Sequence, residues 1–286
     1  MSAARAELRR RGIVVGGIRS PVLEAGPEGA SEAVLFVHGN PGSSEDWADL
    51  VARVGPHGRA VAVDMPGFGR ADKPEGFDYN VAGYAHHLQG VVAALQIERA
   101  HLVMHDFGGP WGLGWAAAHP TAVASLVLVD TGILPGYRWH YVARIWRTPV
   151  LGELFQASAT RGMFRLFLRH GNPRGLPSEF IDRMHADYDR GTRRAVLRLY
   201  RASDDPGAAA PALVSALAPR ALPILVIWGK HDPYIGYQMA EQQRALSPAT
   251  EVVVLEESGH WPFVDDAEAV AGRVIPFLRE RLSAPP

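Results

Sequence analysis

Short runs of β-branched and aliphatic residues alternate along this chain with stretches of helical periodicity, and no other feature constrains its fold as tightly. That alternation is the pattern of a mostly parallel sheet covered by helices on both faces. The candidate strands are Ile13–Ile18, Val22–Ala25, Ala33–Val37, Ala60–Val63, Ala100–Met104, Ser125–Val129, Ile224–Ile227 and Val252–Leu255, and these eight fit one sheet. Tyr79–Ile97 and Gly109–Ala118 read as helices, the second closed by His119 and Pro120. Val264–Leu282 reads as a C-terminal helix in which Pro276 marks a kink or irregularity.

The regularity stops at Thr131 and resumes near Leu222. The stretch between is rich in arginine and aromatic residues and has helical spacing, so it reads as an insertion between the sixth and seventh strands. Asp204–Pro211, with two prolines and a run of alanine, is the expected turn or linker of this segment. At 286 residues the chain has length enough for one large α/β domain carrying such an insertion. The division expected is a core of residues 1–130 and 222–286 and a helical segment of residues 131–221.

Charge and composition exclude several functions. Lys and Arg total 29 against 30 Asp and Glu, so there is no basic field for nucleic acid or an anionic membrane. The absence of cysteine removes disulfides, thiolate metal sites and a cysteine nucleophile. No apolar run is long enough to span a bilayer, and the run Gly12–Ile18 after Arg9, Arg10 and Arg11 is too short for a signal sequence. A cytoplasmic protein is expected. His86 and His87 would face different sides of a helix, and no His-Glu-x-x-His occurs, so no metal is expected.

Four short segments carry chemistry. In Val103-Met104-His105-Asp106-Phe107-Gly108-Gly109 a strand passes directly into a helix, a turn that pushes the side chain at its tip outward and faces it with helix-start N–H groups. Asp106 is that tip. Its bland reading is a helix N-cap. In His38-Gly39-Asn40-Pro41, after the third strand, the N–H of Asn40 can point to where an oxyanion forms. Ser258-Gly259-His260 follows the last strand and Lys230-His231-Asp232-Pro233 the seventh; alone, each would read as structural. Together, nucleophile, acid and histidine come in one chain order, each just past a strand's carboxyl end.

That order resembles the α/β-hydrolase family over nearly all of the chain, apart from the first dozen residues and the insertion. Within it, His105-Asp106-x-Gly-Gly is similar to the epoxide hydrolase and haloalkane dehalogenase branch, and the insertion corresponds to that family's helical cap. Met104 departs from the pattern, because a small residue is usual there, and implies looser packing under the turn. The resemblance implies Asp106 as nucleophile and His260 as base, with Asp232 as its acid partner, or alternatively Asp130 after the sixth strand. Asn40 and Phe107 would supply the oxyanion hole, and no cofactor is implied.

Aspartate in place of serine carries its own chemical meaning. With an ordinary pKa of about 3.9 it is ionised at neutral pH and needs no base to attack. Serine attack on an sp³ carbon would leave a stable ether, whereas Asp106 leaves an alkyl ester that water activated by His260 can open. A halide leaving group needs N–H donors, and the family's clamp pairs an Asn at position 40 with a Trp after the nucleophile. The Phe107 side chain has no N–H to give, so the clamp is half missing unless Trp139 or Trp146 supplies one. An epoxide oxygen needs a proton instead, and Tyr200 with Tyr141 or Tyr137 are the candidate donors; His38 completes the list of candidate substrate contacts. An epoxide hydrolase is therefore expected ahead of a haloalkane dehalogenase, acting with water on a small apolar or aromatic substrate. A non-catalytic binding protein of the same fold is the alternative from a different class.

Overall fold

The structure is a computed structural model and describes residues 4–203 and 205–283. Eight strands form one sheet in the order β1-β2-β4-β3-β5-β6-β7-β8. They are β1 (Arg9–Val15), β2 (Ile18–Ala25), β3 (Glu32–Val37), β4 (Arg59–Val63), β5 (Arg99–His105), β6 (Val123–Val129), β7 (Ile224–Gly229) and β8 (Thr250–Leu255). β1 and β2 pair antiparallel with each other, β2 antiparallel with β4, and all later pairs are parallel. β4 and β7 are buried along their whole length, because their residues are apolar on both faces of the sheet except Arg59, whose charge is paired with Glu24.

The helices are α1 (Ala48–Val54), α2 (Val81–Ala94), α3 (Gly108–Ala118), α4 (Tyr141–Arg147), α5 (Leu151–Ala157), α6 (Arg161–His170), α7 (Ser178–Asp187), α8 (Arg190–Ala202), α9 (Ala210–Leu217), α10 (Pro262–Asp265) and α11 (Ala267–Arg279). None of the described helices is long and apolar enough to cross a membrane.

Several expectations need correction. The run Ile13–Ile18 is not one strand: Gly16 and Gly17, at φ +57° and +80°, turn the chain back on itself between β1 and β2. That conformation is open to glycine and costly for other residues. The helix expected at Tyr79–Ile97 starts later, at Val81, because the Asn80 side chain accepts the Gly83 N–H at 2.9 Å and caps it there. The C-terminal segment is two helices rather than one, and Pro276 lies within α11. Packing beneath the strand-to-helix turn is not loose. Met104 is fully buried, and a Cβ on Gly112 would come within 2.3 Å of its sulfur, so the glycine makes room for the larger side chain.

Residues 131–221 are largely helical, but they do not form a single layer. α4, α5, α6 and α8 contribute walls to a cavity above the carboxyl ends of the strands, whereas α9 packs against α3 of the core. Of the linker expected at Asp204–Pro211, Asp204 lies outside the described residues, and Pro211 sits in the first turn of α9.

Candidate active site

The sharp passage from β5 into α3 holds Asp106 at φ +49°, a conformation few non-glycine residues adopt. Thr131 braces the turn by donating its hydroxyl to the Asp106 carbonyl at 2.5 Å. The Asp106 carboxylate is buried and accepts the Asn40 N–H at 2.6 Å through Oδ1. Burial pushes its pKa up, opposed by His260 and by the backbone N–H groups of Asn40 and Phe107. Two N–H groups therefore converge on this carboxylate, the arrangement an oxyanion hole requires.

His260 approaches the other carboxylate oxygen. Its Nε2 lies 3.7 Å from Asp106 Oδ2, and its Nδ1 donates to Asp232 Oδ2 at 2.7 Å. Asp232 is fixed in turn by the N–H groups of Tyr234 and Ile235, which reach Oδ1 at 2.7 and 3.1 Å. Burial draws the imidazole's pKa down, but the Asp232 and Asp106 carboxylates outweigh it and leave the ring above its usual value. The 3.7 Å separation leaves Asp106 without a direct hydrogen bond from the ring while keeping both within reach of one water.

Asp130 does not meet His260 in this way. It accepts the Gly229 N–H at 2.8 Å through Oδ1, and its Oδ2 is buried without a partner. Burial and the neighbouring Asp232 push its carboxyl well above the ordinary range.

The expected substrate contacts divide. Tyr200 and Trp146 line the cavity with Asp106, Asn40 and His260. Trp139 and Tyr137 line an adjoining hollow that also reaches Asp106. The Tyr137 hydroxyl is committed, however, because it donates to the Tyr234 carbonyl at 3.1 Å. Tyr141 is not a cavity residue: it is 41% exposed on the outer side of α4. His38 does not line the cavity either. Its Nε2 accepts the Met65 N–H at 3.0 Å and its Nδ1 donates to the Gly39 carbonyl at 2.8 Å, so it holds the Asn40 loop in shape.

Four contributors were given no site role from the sequence. His140 lines both the cavity and the hollow, and its Nδ1 accepts the Ala143 N–H at the start of α4, which puts the ring proton on Nε2. Burial and His260 pull its pKa down to about 3, so it is a neutral donor. His105 donates from Nε2 to the His260 carbonyl at 2.7 Å. From the inserted segment, Gly171 accepts the His260 N–H at 2.9 Å and the Asn172 side chain accepts the Trp261 N–H at 3.0 Å. The backbone of His260 is thus clamped by the strand that carries Asp106 and by the helices above it. A histidine beside the strand-to-helix turn was the available signal for His105; nothing in the spacing pointed to Asn172.

The comparisons agree with this architecture. Residues 32–267 match the family model described as alpha/beta hydrolase fold. A haloalkane dehalogenase of Mesorhizobium japonicum is 30% identical over 276 residues, which cover 90% of this chain and 87% of that one. The crystal structure of DBJA superposes with a TM-score of 0.84 at 25% identity, covering 96% of this chain and 98% of the other. The epoxide hydrolase VrEH1 from Vigna radiata shares the fold with a TM-score of 0.79 at 20% identity, covering 96% and 98%. By fold and by sequence, the chain belongs to the α/β-hydrolase family.

Proposed function

We propose that this protein is an epoxide hydrolase that works through an alkyl ester on Asp106. The observation that carries the choice is the hydrogen bond from Asn40 Nδ2 to the Tyr200 hydroxyl, at 3.4 Å. Accepting it frees the phenol's own proton for the cavity, and burial together with Asp106 holds that phenol well above its usual pKa, hence protonated. The Nε2–H of His140 is a second donor in the same cavity. Two donors above a carboxylate suit an oxirane, whose oxygen must be protonated as the ring opens.

In the first step Asp106 attacks one ring carbon, the C–O bond breaks, and the alkoxide takes a proton from Tyr200, leaving a phenolate, while His140 Nε2–H hydrogen-bonds the same oxygen. In the second, His260 removes a proton from water, and the resulting hydroxide attacks the ester carbonyl while Asn40 and Phe107 stabilise the oxyanion. The acyl C–O bond then breaks, the departing alkoxide takes the proton of the new Asp106 carboxylic acid, the diol leaves, and the proton held by His260 returns to the Tyr200 phenolate, which restores all three groups. The cavity is walled by Trp146, Phe155, Phe164, Phe167 and Leu168, which supports an apolar or aromatic substrate.

A haloalkane dehalogenase is the second reading, favoured by Asn40 and by the Mesorhizobium relative. Against it, Phe107 offers no side-chain N–H, Asn40 Nδ2 is directed at Tyr200, and the Trp146 indole nitrogen is buried away from the open cavity. Assayed against matched terminal or aryl epoxides and bromo- or iodoalkanes, the protein is expected to form diol at least about tenfold faster than it releases halide. Tyr200→Phe should lower diol formation by on the order of 10²-fold. Rapid halide release with inert epoxides reverses the assignment, and Phe107→Trp should then improve dehalogenation.

The pH profile follows from the same geometry. Ester hydrolysis needs neutral His260, so kcat falls as pH drops through the raised pKa of the imidazole. Asp232→Asn removes a carboxylate that favours the imidazolium. The acid limb of kcat should therefore move to lower pH, and the plateau should fall. A limb that stays in place or moves upward means that His260 is not the titrating base.

A further inference from the structure

The apolar wall of the cavity is broken at one place outside the catalytic cluster. Gln156 of α5 is only 4% exposed, yet it lines the cavity among Phe155, Phe164 and Phe167. Its Nε2 donates to the Tyr188 hydroxyl at 2.9 Å, while Oε1 accepts no hydrogen bond from the described residues. Tyr188 lines the cavity as well, and accepting from Gln156 leaves its proton to give. Burial holds that phenol above its usual pKa, so it stays protonated.

The pair is built in rather than accidental. Arg193 of α8 reaches across to donate to the backbone carbonyls of Gln156 at 3.0 Å, Ala159 at 3.0 Å and Tyr188 at 3.3 Å, fixing both residues from behind. A buried amide with an unused acceptor next to a phenol with an unused proton is costly in an apolar wall unless something completes both. Exchanging the amide's oxygen and nitrogen alters which of the two donates and leaves one donor and one acceptor facing the cavity.

We propose that Gln156 and Tyr188 form a subsite for a neutral group that both donates and accepts a hydrogen bond, a hydroxyl or an amide. The substrate carries this group beyond an apolar spacer from its reacting carbon. The proposal rests on the epoxide reading only for which end reacts. It makes the substrate class a hydroxylated or amide-bearing epoxide rather than a plain hydrocarbon one. A carboxylate is not favoured, because in either orientation of the amide one member of the pair presents an acceptor to it.

The test is a series of terminal epoxides of increasing chain length, each with an ω-hydroxyl and each paired with its ω-methyl isostere. At the spacer length that reaches the pair, kcat/KM should favour the hydroxyl compound by about tenfold, and the preference should fall towards one in Gln156→Leu and in Tyr188→Phe. Tyr188→Phe removes a single oxygen and guards against misfolding of the first variant. A ratio near one at every length, or a preference unchanged in both variants, overturns the subsite. If no epoxide reacts, the reaction reading has failed on its own, and unreactive phenylalkanols are compared with matching phenylalkanes for binding. A preference for the alcohol that disappears in Gln156→Leu upholds the subsite, and one that persists overturns it.

Discussion

Replacement of Asp106 by Ala is expected to abolish diol formation, by a factor on the order of 10⁴ or more, and to leave the fold intact. Among the described residues that wall the cavity and its adjoining hollow, Asp106 is the only carboxylate, so no described neighbour there can take its place. Stability should be preserved or raised, because burial disfavours this carboxylate and removing it relieves that cost. The φ of +49° opposes this slightly, since Ala tolerates the left-handed region less well than Asp. Asp106→Asn keeps the backbone preference, but its slow deamidation restores Asp, so the Ala variant is the cleaner measure. Thermal unfolding and steady-state rates on one preparation check both halves. Activity above a few per cent with an unchanged melting temperature would move the nucleophile elsewhere.

Replacement of His260 by Gln separates the two chemical steps. Asp106 attacks as a carboxylate without help from His260, whereas opening the ester needs the base. The variant should therefore form the alkyl ester and hold it, with hydrolysis slowed on the order of 10³-fold. Intact-protein mass spectrometry should find one added substrate mass, and peptide mapping should place it on Asp106. Asp232→Asn should retard the same step less completely, since it disturbs the charge and tautomer of the ring but leaves the ring in place. Asp130→Asn should retard it little, because Asp130 is turned to Gly229 rather than to His260. An adduct on Ser258, or substrate bound without any adduct, points to a different mechanism or to a binding protein.

What the sequence disclosed and what it withheld follow a physical division. Asp106, Asn40, Asp232 and His260 each stand just past a strand, and a parallel sheet aligns its strand ends, so their meeting is written in the spacing of apolar runs. The hairpin was also written there, in Gly16-Gly17, although the apolar run across it read as continuous. The helices above the sheet are different. α6 and α8 have clear apolar faces, yet helical periodicity says which residues point inward and not what they meet. Tyr200 could be picked out by its place along the insertion, whereas Tyr141 could not be told from a cavity residue until α4 was seen to turn it outward. His140 was hidden because its role depends on a capping bond that fixes its tautomer. Gln156 was hidden because a polar residue on a helix reads as solvated unless its partner, here Tyr188 on another element, is known.

The central claim is that a carboxylate oxygen of Asp106, and not water, first joins the substrate carbon. A single turnover in ¹⁸O-water, with enzyme in excess over epoxide, tests it directly. The ester opens by attack at the carbonyl carbon, so the oxygen delivered to the first diol is the one Asp106 already carried, and the water oxygen remains in the carboxylate. Mass spectrometry should accordingly find unlabelled diol and ¹⁸O in the peptide that contains Asp106. Labelled diol from the first turnover, with that peptide unlabelled, would contradict the account and assign the attack to water.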